Sequence, residues 1–478
     1  MSFRTQFRDK QEWLKSTNGC IDLNTSSDVA AKEYDASLTQ LCGWYEDQSL
    51  GGLEGSVERM LRADNDFVLG RAFELELNLM GGLNAPRLDK DLAGKLEDFN
   101  KLVERKRSSI SDQEALHAQV VNLWATSQLK QAGKVLEKLA TLYPEDVSAV
   151  KMAQDTYFFL GQSMAMRNSV ASCLARLREL NGDEKSPRNP LQGYVHGMFA
   201  FALEESNQYP QAELQALKAL ALIPRDTWAI HNYAHCLEMQ AKSTEGLKWM
   251  LGRQPDWEPC QSLACHQYWH TALFHINNNN FDEAVALLDN EVLTRCVQSC
   301  SSLDLHDAAS MVYRMELVDL FGKTKGEGAK LSDRWSGVYG MCKPHKGDHL
   351  IGFNDAHYMM SYLGMADMDT ARELIESIDE TPSLNEGATV VKPLLEAMYQ
   401  FKLGAYDKCV DLLEPIRHEI VKIGGSHAQR DVFEQLLLVA GLRSDKKYHN
   451  RLSERMLAER DLFHGRRVPQ TELLAQAA

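Results

Sequence analysis

Long apolar runs are missing from this 478-residue chain. No hydrophobic stretch approaches the roughly 20 uninterrupted residues that a helix needs to cross a bilayer, so no membrane span is expected. Cysteine pairing is missing as well. The ten cysteines are scattered and none forms a CxxC spacing, which removes zinc ribbons and thioredoxin-type chemistry. Free, mostly buried thiols fit a reducing cytoplasm, and the charged start Met1-Ser-Phe-Arg-Thr-Gln-Phe-Arg lacks the apolar core of a signal peptide. A basic excess is absent too: Lys+Arg 52 stand against Asp+Glu 67, for a net charge of −15. Nucleic acid and anionic membrane both demand a basic footprint, so neither is expected as a partner. Alternating β-branched runs are scarce, which argues against sheets.

Several catalytic signatures also fail. HExxH is absent, because asparagine holds position 232 and glutamine position 267. One ExxH occurs, Glu114 to His117, but a di-iron bundle requires a second one and two further carboxylates. Gly322-Lys323-Thr324 resembles the end of a P-loop, yet Leu317 stands where the first glycine belongs. Gly51-Gly52-Leu53-Glu54-Gly55 reads as a turn entering a helix, and no GxSxG elbow is found.

What the chain does carry is apolar residues at spacings of three and four, the period of amphipathic helices. The clearest unit runs from Tyr194 to Pro224. Phe199, Ala200 and Leu203 line its first helix, and Ala212, Ala216, Ala219 and Leu220 line the second. Alanines 200, 212 and 219 are small where two antiparallel helices must approach closely. Tyr209 closes the turn, Pro210 suits the first position of the second helix, and Pro224 ends the unit. This is the pattern of a tetratricopeptide-type hairpin. Looser copies follow: Ala132, Leu136 and Leu139 before Pro144; Ala234 with Gly246; Ala272 with Ala284 around the polar turn Asn277 to Asn280. The expected architecture is all-α, a superhelical array of TPR-like helical hairpins with irregular helical caps. Residues 1–110 read as an irregular helical region, 111–416 as the array with its clearest repeats at 111–144, 191–224 and 263–296, and 417–478 as capping helices. Helices are expected at Leu38–Tyr45, Gly52–Ala63, Asn65–Met80 and Ala93–Lys106, and the array is broken at Asn181–Pro190, Gly322–Asp348 and Asp379–Lys392. The tail from Val468 reads as frayed.

Certain stretches carry a family likeness: Ser49-Leu-Gly-Gly-Leu-Glu-Gly55, Trp228-Ala-Ile-His-Asn-Tyr-Ala-His-Cys-Leu-Glu-Met239, Leu263-Ala-Cys-His-Gln-Tyr-Trp-His270, Phe353-Asn-Asp-Ala-His357 and Gly424-Gly-Ser-His-Ala-Gln-Arg-Asp-Val-Phe433. On these the chain resembles the tetratricopeptide repeat protein 38 family over almost its whole length. The resemblance implies an all-helical fold with a few recognised repeats, and it brings no settled biochemical activity. His427 departs from the family's usual asparagine at that position.

The repeat also brings histidines together. His231 and His235, then His266 and His270, each form an HxxxH pair, and the pairs lie 35 residues apart, close to one helical-hairpin period. Residues four apart share one side of a helix, so His231, His235 and Glu238 form a stripe. Ile230, Tyr233, Ala234 and Leu237 would face the core, which displaces the stripe toward the concave groove. Asp355 and His357, and more weakly Arg430 and Asp431, lie on later helices that an array can bring to the same cavity. Histidine with carboxylate suits a transition metal such as zinc, iron or nickel, and it suits general acid–base catalysis equally. The plainer alternative is packing against Trp228, Tyr233, Tyr268 and Trp269. The favoured reading is therefore a cytoplasmic, non-enzymatic repeat protein that grips a peptide or protein segment in its groove. The runner-up is a metal-dependent or acid–base enzyme centred on the paired histidines. No cofactor is assigned beyond that transition metal, and exposed end helices leave pairing with a second copy open.

Overall fold

The computed structural model describes residues 4–81, 84–181, 187–324, 330–378, 388–463 and 469–477. Among these residues every regular element is a helix, as the spacing of apolar positions requires. The chain divides into two compact units. One comprises Met1–Phe158, Gln162–Tyr233 and Pro255–Leu263; the other comprises Phe159–Gly161, Ala234–Gln254 and Ala264–Ala478.

One local device recurs along the chain. A residue in the left-handed region ends the first helix of a hairpin, and the next backbone N–H reaches back to the carbonyl five residues earlier. Gln128 bonds Leu123, Gln162 bonds Tyr157, Gln208 bonds Leu203 and Lys242 bonds Leu237, at 2.8–2.9 Å. Asn280 to His275, Leu320 to Met315, Asp367 to Tyr362 and Ala405 to Gln400 repeat the bond at the same lengths. The residues before these donors are Ser127, Gly161, Asn207, Ala241, Asn279, Asp319, Ala366 and Gly404, all at positive φ. This is the Schellman closure, which satisfies carbonyls that a helix end would otherwise leave bare. Only two of the eight are glycine, so the turn recurs more regularly than its residues do.

In the first unit the hairpin Gln192–Glu204 and Tyr209–Leu222 forms as its alanines require: Ala200, Ala212, Ala216 and Ala219 are fully buried, with Pro210 in the first turn. Trp13, Tyr34, Phe67 and Phe73 form an aromatic core with ring centroids 5.5–5.9 Å apart around Tyr34. The second unit encloses Trp269, Trp335, Tyr362, Phe274 and Phe433. There the helix pair Ser243–Trp257 and Gln261–Asn277 meets through Gly246, where an added Cβ would stand 2.3 Å from the Phe274 ring.

Several boundaries differ from expectation, each for a local reason. The helix expected at Leu38–Tyr45 begins earlier, at Asp28, where the Ser27 hydroxyl caps Ala30 N–H. The helix expected at Asn65–Met80 is Val68–Glu76 followed by a π turn, Leu77–Gly81. The break expected at Gly322–Asp348 contains the helix Leu331–Cys342, anchored by the buried Trp335 whose indole N–H donates to Glu316 at 2.9 Å. Of the other two expected breaks, 182–186 and 379–387 lie outside the described residues. The tail, expected to fray, forms the helix Pro469–Gln476: Leu474 is buried and Arg443 donates twice to the Ala477 carbonyl, at 2.6 and 2.8 Å.

A buried charge triad fastens the first unit. His117 bonds Glu76 through Nδ1 at 3.0 Å and Asp146 through Nε2 at 2.8 Å. Burial lowers the proton affinity of the ring, but the two carboxylates outweigh it and push His117 up to about 10. At Asp146 the His117 contact overcomes burial and holds the carboxyl low, so the charge pair is Asp146 with His117. The folded value lies above the ordinary one of about 6.5, so this stabilisation is complete below that pH and is lost as pH rises toward 10. His117→Ala is expected to cost about 3–5 kcal/mol in urea unfolding at neutral pH. The deficit should shrink as the melts are repeated toward pH 10; a pH-independent deficit would refute the charged triad.

Candidate functional site

The helix Thr227–Met239 carries the first histidine pair and runs across the division between the units. Asp226 caps it, accepting Ala229 N–H at 3.1 Å. His231 lies in the first unit, 2% exposed, stacked on Trp228 with centroids 4.8 Å apart and bonded through Nδ1 to Asn232. His235 is one turn further on the same face and belongs to the second unit.

Within the second unit three rings converge. One ligand-capable atom of each of His235, His266 and His270 lies within 4.8 Å of the others. The His235 centroid is 4.4 Å from that of His270, and His266 is 4.7 Å from His270, both edge to face. His266 stacks on Trp269 at 5.3 Å, and the Trp269 indole N–H is held by Ser310 at 3.1 Å. Each ring of the second pair is gripped by a carboxylate from a different helix. His266 Nδ1 meets both oxygens of Asp307 at 2.9 Å, and His270 Nδ1 meets Glu238 at 2.7 Å. Glu238 comes from the helix of the first pair, while Asp307 comes from Ser302–Leu317.

The histidine stripe was expected on an open groove wall; the imidazoles are instead enclosed, His235 and His270 at 0% exposure and His266 at 4%. In the second unit the reason is the Ser302–Leu317 helix, whose Asp307 and Ser310 sit on the face that carries His266 and Trp269. That helix is itself locked by Arg314, which donates to the carbonyls of Ala428 and Gln429 at 2.6 and 3.1 Å.

The remaining sequence candidates go elsewhere. Asp355 is buried and pairs with His349 Nδ1 at 3.1 Å, while His349 Nε2 meets Ser377 at 3.0 Å. His357 donates Nδ1–H to the Phe353 carbonyl at 2.7 Å and packs on Phe353, His306 and Phe433. Arg430 donates to the Gly425 carbonyl, and Asp431 pairs with Arg460 at 2.7 Å. Asp307, His306 and His349 escaped the sequence reading. The signal for Asp307 was there: Asp304, His306 and Asp307 crowd the first two turns of one helix, among apolar and small residues. Nearby, Cys265 with Asp304 and Asp307 makes a second buried group of ligand-type atoms, again within 4.8 Å. Burial pushes the Asp304 carboxyl up to about 6.

Carboxylate-braced imidazoles can do two things. The brace fixes the tautomer that leaves Nε2 as a base, or it orients a ring toward a bound metal. His357 has neither brace. Burial depresses it to about 4, and His306 beside it is depressed as well. Because the folded value lies below the ordinary one, a neutral His357 stabilises fully above about pH 6.5 and is lost as pH falls toward 4. The free energy of unfolding is expected to drop over that window by roughly 3 kcal/mol for this group. His357→Gln should flatten the acid limb measured by chemical denaturation, and an unchanged slope would refute the assignment.

No family model matches the chain. Among solved structures, a human IFIT1 dimer with PPP-AAAA is 14% identical, covers 87% of this chain and 93% of that chain, and has a TM-score of 0.39. A human IFIT1 dimer with m7Gppp-AAAA is 13% identical over 98% of each chain, with a TM-score of 0.37. An IFIT1 monomeric mutant with Gppp-AAAA is 13% identical, covering 98% of this chain and 97% of that chain, with a TM-score of 0.39.

Proposed function

We propose that this chain is a helical-repeat binding protein that takes a peptide or protein segment, and that it belongs with the tetratricopeptide repeat protein 38 family it resembles. The single observation that carries the binding reading is an apolar pair left on the outside of the clearest hairpin. Leu214 and Leu217 lie one turn apart on the helix Tyr209–Leu222, 53% and 46% exposed. Scattered exposed leucines are ordinary, but two on one helical face, in the repeat whose other side is filled by alanine, offer anchors for a partner. The enclosed histidines point recognition of a chain-like ligand to such an outer face and away from the cluster. A net charge of −15 favours a basic or neutral partner segment. A second copy of the chain is one such partner.

A second reading, an enzyme using metal-dependent or acid–base chemistry, draws on the two carboxylate–imidazole pairs at His266 and His270. The repeat that holds them would then serve as scaffold.

The double variant Leu214→Glu/Leu217→Glu should leave the melting temperature within about a degree or two, since surface changes stay near ±0.5 kcal/mol. It should abolish cross-linking of whichever partner, or second copy, the wild type captures reproducibly. Equal capture by both proteins would remove the binding reading from this face.

A further inference from the structure

A group of three imidazoles braced by two carboxylates is more than packing or acid–base chemistry requires. We propose that His235, His266 and His270 form the binding site of a divalent transition-metal ion of the zinc class, with Asp307 and Glu238 as positioning residues behind His266 and His270. The inference goes beyond the partner-binding reading and stands or falls independently of it.

The first support is donor chemistry. Asp307 and Glu238 hold Nδ1 of His266 and His270, at 2.9 and 2.7 Å, so the nitrogen that each ring would offer to an ion is Nε2. A carboxylate on the far nitrogen is the partner that metal-bound imidazoles generally have, because it fixes the tautomer and strengthens the donor. Both carboxylates reach in from helices other than the one carrying the histidines they brace.

The second support is spacing. Two imidazoles four residues apart on a helix share a face and can bind one ion, as His266 and His270 are placed to do on Gln261–Asn277. His235 comes from Thr227–Met239, and the three ligand-capable atoms already lie within 4.8 Å of one another. Nitrogens on one tetrahedral zinc ion at 2.0–2.1 Å stand roughly 3.3 Å apart, so small side-chain rotations close the set. Three protein ligands leave a fourth position on the ion for water or another small ligand.

The third support is contrast inside the same unit. His349 spends both nitrogens on Asp355 and Ser377, and His357 bonds a carbonyl of its own helix. Those are the arrangements of histidines that serve the fold. Neither gathers further rings with carboxylates behind them.

The test uses the full chain, stripped with chelator and titrated with cobalt(II), then zinc(II). The wild type should bind one equivalent, with the intense visible d–d bands of low-coordinate cobalt and no thiolate charge-transfer band. X-ray absorption of the zinc form should count three imidazole nitrogens, a readout that needs no variant. His235→Ala and His270→Ala should lose the bands. Asp307→Asn and Glu238→Gln should keep the spectrum and weaken binding about 10–100-fold, the range for second-layer partners. Circular dichroism on each variant separates loss of metal from loss of fold. A folded wild type that binds no more cobalt than His235→Ala overturns the proposal, as does a zinc form with fewer than three imidazole nitrogens or with sulfur among its ligands. Capture of a partner through Leu214 and Leu217 is read separately and is untouched by either result.

Discussion

The hydrogen bond that closes eight of the described helical turns is the constraint on which the molecule depends. A single left-handed residue lets the N–H after it reach back to the carbonyl five residues earlier, from Leu123 to Gln400. That bond reverses the chain within a few residues and sets the two helices antiparallel at short range. Small side chains are then obligatory where the backbones approach, and Ala200, Ala212, Ala219 and Gly246 occupy such places. The closure is made with serine, asparagine, alanine and aspartate as well as glycine, because only one residue carries the positive φ and the hydrogen bonds offset its cost of roughly 1–2 kcal/mol.

Helical hairpins stacked in this way bury their first helices on nearly every side, and that has consequences for polar residues. Thr227–Met239, Gln261–Asn277, Ser302–Leu317 and Gly352–Gly364 all carry histidine or carboxylate in positions closed to solvent. A buried polar group is costly unless it is bonded, so each must find a partner. The solutions differ. His117 sits between two carboxylates as a cation, His357 stays neutral against a backbone carbonyl, and His266 and His270 each take one carboxylate. Only the last arrangement, among the described residues, brings three imidazoles together with carboxylates behind two of them.

Comparable logic governs the ends of the chain. Arg314 ties Ser302–Leu317 to the carbonyls of Ala428 and Gln429, and Asp431 bridges to Arg460 on Lys447–Phe463. Arg443 then holds the Ala477 carbonyl. Burial raises the Asp431 carboxyl, but the Arg460 and Arg314 guanidiniums outweigh it and hold the group well below the ordinary carboxylate range. A run of charge-assisted bonds thus carries order from the body of the second unit to a terminal helix whose own sequence is unremarkable in hydrophobic period.

Helical content, hairpin units and the pairing of histidines on shared helical faces were legible in the amino-acid order, because a period of 3.6 residues and the preference for alanine, proline and asparagine at close approaches and turns are local properties. The helix start at Asp28 was marked locally too, by a serine at position 27. Enclosure of His235, His266 and His270 was not legible, nor was Asp307, which lies 41 residues from His266 and meets it only because a later helix packs across the same face. Asp355 and His357 show the converse: their residue types matched a site, yet packing gave them to His349 and Phe353. Periodicity tells which side of a helix is apolar; what covers the other side depends on contacts between segments far apart in the chain, and those exist only once the helices have stacked.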